Sequence, residues 1–291
     1  MSLEKLQRQI KTTRELRDIV STMKLLSSVS ILQYEQASRA LEKYRHNLTG
    51  AFQALISQRK ISHAKVLPGQ QKHLLVLVGS DNGMVGKFNQ EIVKEARQYL
   101  RKIGISPQKV LFIVIGKRLN MLVSQQKWPM YAQYGISNSV KIVNTLAENI
   151  ILHIDQAMMR EKVTHVMVFT NRRIKNQPVK VEKRQVLPFN TQALKNLKNK
   201  PWPTNNIPLI TLPTAQMFSA LVREMMLIFL SDVLNGSLAA EHWTRMTNMQ
   251  NAEKNIDDNL EELDKQYQQK RQEQITEELI DVVSGASALK K

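Results

Sequence analysis

Residues 1–49 read MSLEKLQRQIKTTRELRDIVSTMKLLSSVSILQYEQASRALEKYRHNLT, a run with no glycine and no proline. Gly50 is the first of the one residue type and Pro68 the first of the other. Helices in globular proteins average about three turns, so a breaker-free run of this length reads as one unusually long helix. Its apolar side chains step by threes and fours, through Leu3, Leu6 and Ile10, then Leu16, Val20 and Met23, and later Leu41, Tyr44, Leu48, Ala51 and Leu55. That spacing is the seam of a coiled coil, and a stripe of this kind needs a partner. Ser27, Ser28 and Ser30 weaken the seam with small side chains that would let another backbone approach closely.

The other end of the chain supplies the partner. No proline follows Pro213, and only Gly236 and Gly285 interrupt what comes after it. Thr214 can cap a helix start, with Met217, Phe218, Leu221, Val222, Met225 and Ile228 behind it. Ile256, Leu260, Leu263 and Tyr267 continue the seam, and Ile275, Leu279, Val282, Ala286 and Leu289 resume it after a skip. Residues 1–60 carry 11 basic against 5 acidic side chains, whereas residues 213–291 carry 8 against 13. Opposite signs favour pairing of the two ends. If both helices spring from one central domain they run antiparallel, and the longer C-terminal helix extends beyond its partner.

Between them the period changes from helical to strand-like. HLLVLVG (73–79), KVLFIVIG (109–116) and VTHVMVFT (163–170) are short runs rich in β-branched residues. Helix-like stretches at Asn89–Lys102, Lys117–Gln125 and Ser139–Glu161 separate them. This alternation predicts a mostly parallel sheet with helices on its faces. VKVEKRQVLP (179–188) alternates and reads as an extra, more exposed strand, and Asn190–Pro208 reads as a loop. The expected architecture is a Rossmann-like α/β domain over residues 61–212. It is inserted between an N-terminal coiled-coil helix over 1–60 and a C-terminal one over 213–291.

Composition excludes several classes of function. No stretch offers the roughly 20 apolar residues of a bilayer span; Met217–Leu234, the best candidate, is broken by Arg223, Glu224 and Asp232. The start lacks the apolar run of a signal peptide, so none is expected. With no cysteine, disulfides, thiolate metal sites and cysteine nucleophiles are excluded. Ser80–Asn89 (SDNGMVGKFN) lies between a strand and a helix, where phosphates often bind. Its glycines, Gly83 and Gly86, have neither P-loop nor dinucleotide spacing, and it reads as a tight turn needing positive φ. His46, His63, His73, His153, His165 and His242 are scattered without metal spacing. No catalytic residue, cofactor or metal site is expected.

The net charge of +17 is concentrated in the middle, where residues 61–212 carry 23 basic against 7 acidic side chains. Lys117-Arg118, Arg172-Arg173-Lys175, Lys180-Lys183-Arg184 and Lys195/Lys198/Lys200 form the clusters. Aromatics are only 5% of the chain, which weakens a nucleic-acid reading that depends on base stacking. A surface steering toward acidic lipid headgroups or an acidic protein fits as well. On the helices, Met23-Lys24 and Arg271-Gln272 are either an ordinary solvated face or a contact with an enclosing partner.

Longer motifs carry a resemblance. LQRQIKT (6–12) and IVSTMKLL (19–26) resemble the opening helix of F-type ATP synthase γ subunits. AEHWTRMTNMQNAEKN (240–255) is similar to that family's E-x-x-A-R-M-x-A-M-x-x-A-x-x-N. YQQKRQEQITEELIDVVSGASAL (267–289) is similar to its Y-N-x-x-R-Q-x-x-I-T-x-E-L-x-E-I-V-x-G-A-x-A-L. The Ser80–Asn89 turn resembles S-D-R-G-L-C-G-G-F-N, departing from it at Asn82, Val85 and Lys87. The resemblance implies a non-catalytic central-stalk rotor that couples ion flow through a membrane ring to conformational cycling of catalytic β subunits. Its implied partners are the alternating α/β hexamer, the epsilon subunit and the c-ring, with no nucleic acid. Its implied place is peripheral, on the cytoplasmic face of a bacterial inner membrane. Carried over residue by residue, Arg271 and Gln272 form a polar catch with a β loop. Met23, Lys24 and Arg245 meet the moving loops of β, and Ile275 and Leu279 belong to a tip that turns in an apolar sleeve. A basic nucleic-acid-binding scaffold is the alternative.

Overall fold

A computed structural model describes residues 2–59, 71–136, 139–174, 177–188, 196–199, 201–202, 206 and 208–288. His63, Lys175, Lys195, Lys200, Leu289 and most of the expected loop at 190–208 lie outside the described residues, as does the side chain of Ala286. The elements run α1 (Leu3–Gln58), β1 (His73–Val78), α2 (Phe88–Lys102), β2 (Leu111–Ile115), α3 (Lys117–Gln125), β3 (Met130–Tyr134), α4 (Val140–Arg160), β4 (His165–Arg172), β5 (Lys180–Leu187) and α5 (Thr214–Ala288). Two compact units form, residues 1–28 with 245–291 and residues 29–244, and α1 and α5 contribute to both.

In the larger unit the strand order is β3-β2-β1-β4-β5. The first four are mutually parallel and β5 is antiparallel to β4. Because successive side chains of a strand point to opposite faces, each strand feeds two cores. Leu75, Leu77, Phe112, Val114 and Phe169 pack with Ile92, Ala96 and Leu100 of α2 and Leu119 and Val123 of α3. Leu74, Val76, Val78, Ile113, Ile115, Val166 and Val168 pack with Val143, Ile150 and Ile154 of α4, and with Tyr34 of α1. Leu230, Val233, Leu234 and Leu238 of α5 complete that second face. α1 and α5 also pack on each other through Leu48, Phe52, Leu55, Leu221 and Ile228. The stack of Tyr34 on His242 and the edge contact of Phe52 with Phe218 set an antiparallel register.

The expected strands and helices all occur, with ends shifted by a residue or two, but β3 is an addition. MYAQY has no β-branched residue, and as an edge strand it is only half covered, so its sequence signal is weak. Two expected seam positions are also corrected: Leu16 is 50% exposed and Tyr44 48% exposed. Tyr44 turns outward because its hydroxyl donates to Glu224 at 2.8 Å.

The histidines are less scattered than their spacing suggests. Parallel pairing of β1 with β4 puts His73 directly beside His165, and the rings stack 4.8 Å apart. His73 is buried, with neither ring nitrogen hydrogen-bonded. Burial lowers the pKa of both rings, and His73 also feels repulsion from His165. A lowered folded-state pKa means that the folded state resists protonation, so stability is complete above about pH 6.5 and is lost as pH falls below it. Thermal unfolding followed from pH 7.5 to pH 5 is expected to show this decline. His73→Phe, which keeps the stacked ring and removes the titration, is expected to flatten it.

Candidate functional site

The crevice at the carboxyl ends of β1 and β4 is where doubly wound sheets bind ligands, because neighbouring connections diverge there. Here the chain fills it. Ser80 N–H donates to Asn89 Oδ1 at 3.0 Å, and Asn89 Nδ2 donates to Ser80 Oγ at 2.9 Å. Asn171 Nδ2, buried at the end of β4, donates to the Phe88 carbonyl at 2.9 Å. Val85 and Phe88 pack on Ala240 and Val179. The turn does need positive φ, but at Met84 (62°) and Gly86 (55°), not at Gly83. With its polar groups turned inward onto one another, the loop is a structural closure.

The positions expected to meet partners lie in the smaller unit. There α1 and α5 run antiparallel, tied by Arg14 to Asp264 at 3.4 Å, Arg17 to Asp257 at 2.5 Å and Lys24 to Glu253. All three pairs put the cation on the N-terminal helix and the carboxylate on the C-terminal one, as the opposite charges of the two ends predict. Exposed pairs of this type contribute about 0–1 kcal/mol each, so they fix register more than stability. The hydrogen bond from Lys24 holds the Glu253 carboxyl below its ordinary range. Leu6, Ile10 and Met249 are buried, and Ile256, Leu260, Leu263 and Tyr267 are half-buried along the seam.

Met23 and Lys24 are half-buried. Arg245 is buried, at 5% exposure. From Arg271 to Val283 every residue is exposed. Arg271 and Gln272 open this stretch, and Ile275, Leu279, Ile280, Val282 and Val283 follow at 48–69% exposure. The seam expected to resume at Ile275, Leu279 and Val282 therefore has no partner helix within the described residues. Sequence reasoning named Ile275 and Leu279 in this apolar surface. It did not name Leu25, Leu26 and Val29 of α1, which are 47–63% exposed. Their signal was two adjacent leucines beside the seam, where one apolar residue per turn is enough.

Among the described residues no group of three potential metal ligands occurs, and no helix is long and apolar enough to cross a membrane.

Comparisons with known proteins follow the same outline. A family model described as "ATP synthase" matches residues 2–289. The ATP synthase gamma chain of Geobacter metallireducens is 26% identical over 298 residues, covering 99% of each chain. That of Ehrlichia chaffeensis is 25% identical over 301 residues with the same coverage. Among solved structures, a chain of the Euglena gracilis mitochondrial ATP synthase matches with a TM-score of 0.67 at 15% identity, covering 99% of this chain and 94% of that one. A chain of the Tetrahymena thermophila mitochondrial ATP synthase central stalk and c-ring matches with a TM-score of 0.56 at 18% identity, covering 80% and 99%. Those two likenesses establish the shared fold. Since the family model spans nearly every residue and these full-length relatives are gamma chains, the chain belongs to the ATP synthase gamma family.

Proposed function

We propose that this chain is the central-stalk rotor of an F-type ATP synthase, a non-catalytic axle that transmits ring rotation to the catalytic subunits. The observation that carries the reading is the bare distal part of α5. Thirteen consecutive exposed residues with five large apolar side chains are costly in water and make sense inside an enclosing ring of subunits. The paired segment below it is held by charge and a narrow seam, and so can present a different side to each subunit as it turns. Each catalytic site is then driven through its states by contact, a population shift imposed mechanically.

In this reading residues 1–60 and 213–291 form the shaft and residues 61–212 the inserted domain. Arg271 and Gln272 are the polar catch on a catalytic subunit. Met23, Lys24 and Arg245 lie near its moving loops, and Ile275 and Leu279 line the bearing. The partners are the alternating α/β hexamer, the epsilon subunit and the c-ring. The complex sits on the cytoplasmic face of a bacterial inner membrane, with this subunit peripheral to it.

Purification from the source membrane under mild conditions tests the assembly: co-migration with a large ATP-hydrolysing complex is expected, and isolation as a lone protein would refute it. Arg271→Ala tests the catch. Arg271 is exposed and makes no ion pair among the described residues, so its loss is expected to change stability by under about 0.5 kcal/mol. The assembled complex is expected to hydrolyse ATP with a lowered ratio of ions pumped to ATP consumed. An unchanged ratio would remove Arg271 from the coupling path.

A further inference from the structure

Part of the surplus positive charge of the middle segment gathers at one edge of its sheet. In a parallel sheet with helical crossovers, strands begin and crossover helices end at one shared edge. Lys72 and Lys109 lie just ahead of β1 and β2 at that edge. Arg101-Lys102, Lys127 and the Arg160/Lys162 pair lie at the ends of α2, α3 and α4. All seven side chains are exposed, and none joins an ion pair among the described residues. Glu161 is the one carboxylate interleaved with them there, and Asp155, a turn and a half back along α4, is already paired with Arg223. Toward the other side of the domain Arg172, Arg173, Lys183 and Arg184 each meet a carboxylate, whereas Lys87 and Lys117 are exposed without an ion pair among the described residues.

Two further observations set this edge apart from ordinary helix capping. Lys127 and Lys162 occupy left-handed backbone positions, φ 55° and 56°, directly after the caps of α3 and α4. The corresponding position after α2 is Gly104, φ 71°, the residue that takes this conformation without steric penalty. Charge is thus present where backbone geometry favours glycine. Met158 and Met159 stand among the cations, and Met159 is 82% exposed. The helix dipole accounts for cations at helix ends, but not for Lys72 and Lys109, nor for a bare methionine.

The edge also has an orientation within its unit. α5 meets α4 through Arg223 and Asp155 near the end of α4, and through Ser231 and Asn144 near its start. α5 therefore begins beside the basic edge, where Phe52 packs on Phe218 and Gln58 reaches Pro208 as α1 finishes.

We propose that this edge is an electrostatic contact for anionic phospholipid headgroups, with Met159 entering the headgroup layer. Spread lysines around an exposed apolar side chain match a lipid surface. They offer little for base stacking, because Trp128 at this edge is buried against Phe112, and Tyr99 and Tyr131 are half-buried against Phe169 and His153. The inference rests on the rotor reading only for the presence of a membrane near the end where α1 finishes and α5 starts.

The test is partition of the full-length chain onto vesicles. Binding is expected to vesicles of equal parts phosphatidylcholine and phosphatidylglycerol, not to phosphatidylcholine alone, and it should vanish at about 0.5 M salt. The double variant K127G/K162G replaces both left-handed lysines with the residue that suits their backbone, so it is expected to fold. With each surface lysine contributing to binding, it should weaken partition roughly 30-fold. Absence of binding at low salt, equal binding by the variant, or tighter binding to a mixed RNA than to the anionic vesicles would overturn the proposal. A chain that joins the ATP-hydrolysing complex yet ignores anionic vesicles would refute this inference alone. One that binds vesicles but joins no complex would refute the rotor reading alone.

Discussion

Gly116→Val is expected to leave little folded protein. Gly116 joins β2 to α3 at φ +105°, a region that L-residues avoid. A Cβ there would stand 2.8 Å from the Gly79 carbonyl carbon and from both N and O of Ser80. Those atoms are backbone, and they are fixed in turn: Gly79 N–H donates to the Ile115 carbonyl at 2.8 Å, and Arg118 N–H to that of Ser80 at 3.0 Å. Asp81 then accepts from Lys117 N–H at 2.8 Å and Ile136 N–H at 3.0 Å, so the ends of β1, β2 and β3 are locked together. Neither strain nor clash can relax locally, and a loss above about 4 kcal/mol is expected, in the range seen only for severe lesions. Gly104→Ala is the comparison. It shares a positive φ but has open space around the new Cβ, so about 1 kcal/mol should be lost. Circular dichroism melting of both variants measures the difference.

Leu234→Ala should be among the most damaging simple truncations in α5. Leu234 is fully buried in the core that joins the sheet to α4 and α5. Removing such a side chain deletes transfer free energy and leaves a cavity that the sheet cannot collapse into, about 2–5 kcal/mol in all. Against a total stability of roughly 5–15 kcal/mol, that is a large share. Val282→Ala, on the same helix at 69% exposure, should lie within about 0.5 kcal/mol of the parent. Denaturant titration of the two variants would separate the structural part of α5 from the part that is left bare.

How much of this was legible in the sequence depended on how local the signal was. The two long helices and three of the parallel strands were readable because a missing breaker or a run such as LLVLV is a property of a few adjacent residues. β3 was not, because MYAQY is an edge strand whose identity comes from pairing with Phe112–Ile115. The ion pairs Arg14–Asp264 and Arg17–Asp257 were foreshadowed only as an attraction between two ends of opposite charge. Their register needed the fold. His73 and His165 are 92 positions apart, and nothing in their spacing shows that β1 and β4 are neighbours. Arg271, Gln272, Ile275 and Leu279 came from resemblance, not periodicity. Periodicity marked the apolar positions among them as seam, whereas they are exposed.

The two faces of the sheet are completed at different times as the chain leaves the ribosome. One face is covered by α2 and α3, and its buried residues have all been made once β4 emerges. The other also needs Leu230, Val233, Leu234 and Leu238, which come some sixty residues after β4 ends. At a synthesis rate of about 5–20 residues per second, a nascent chain holds a half-covered sheet for several seconds. During that interval α4 covers only part of that face, and the rest is open to whatever binds apolar surface. The last part of this face to be made, in α5, therefore decides when the sheet is fully covered.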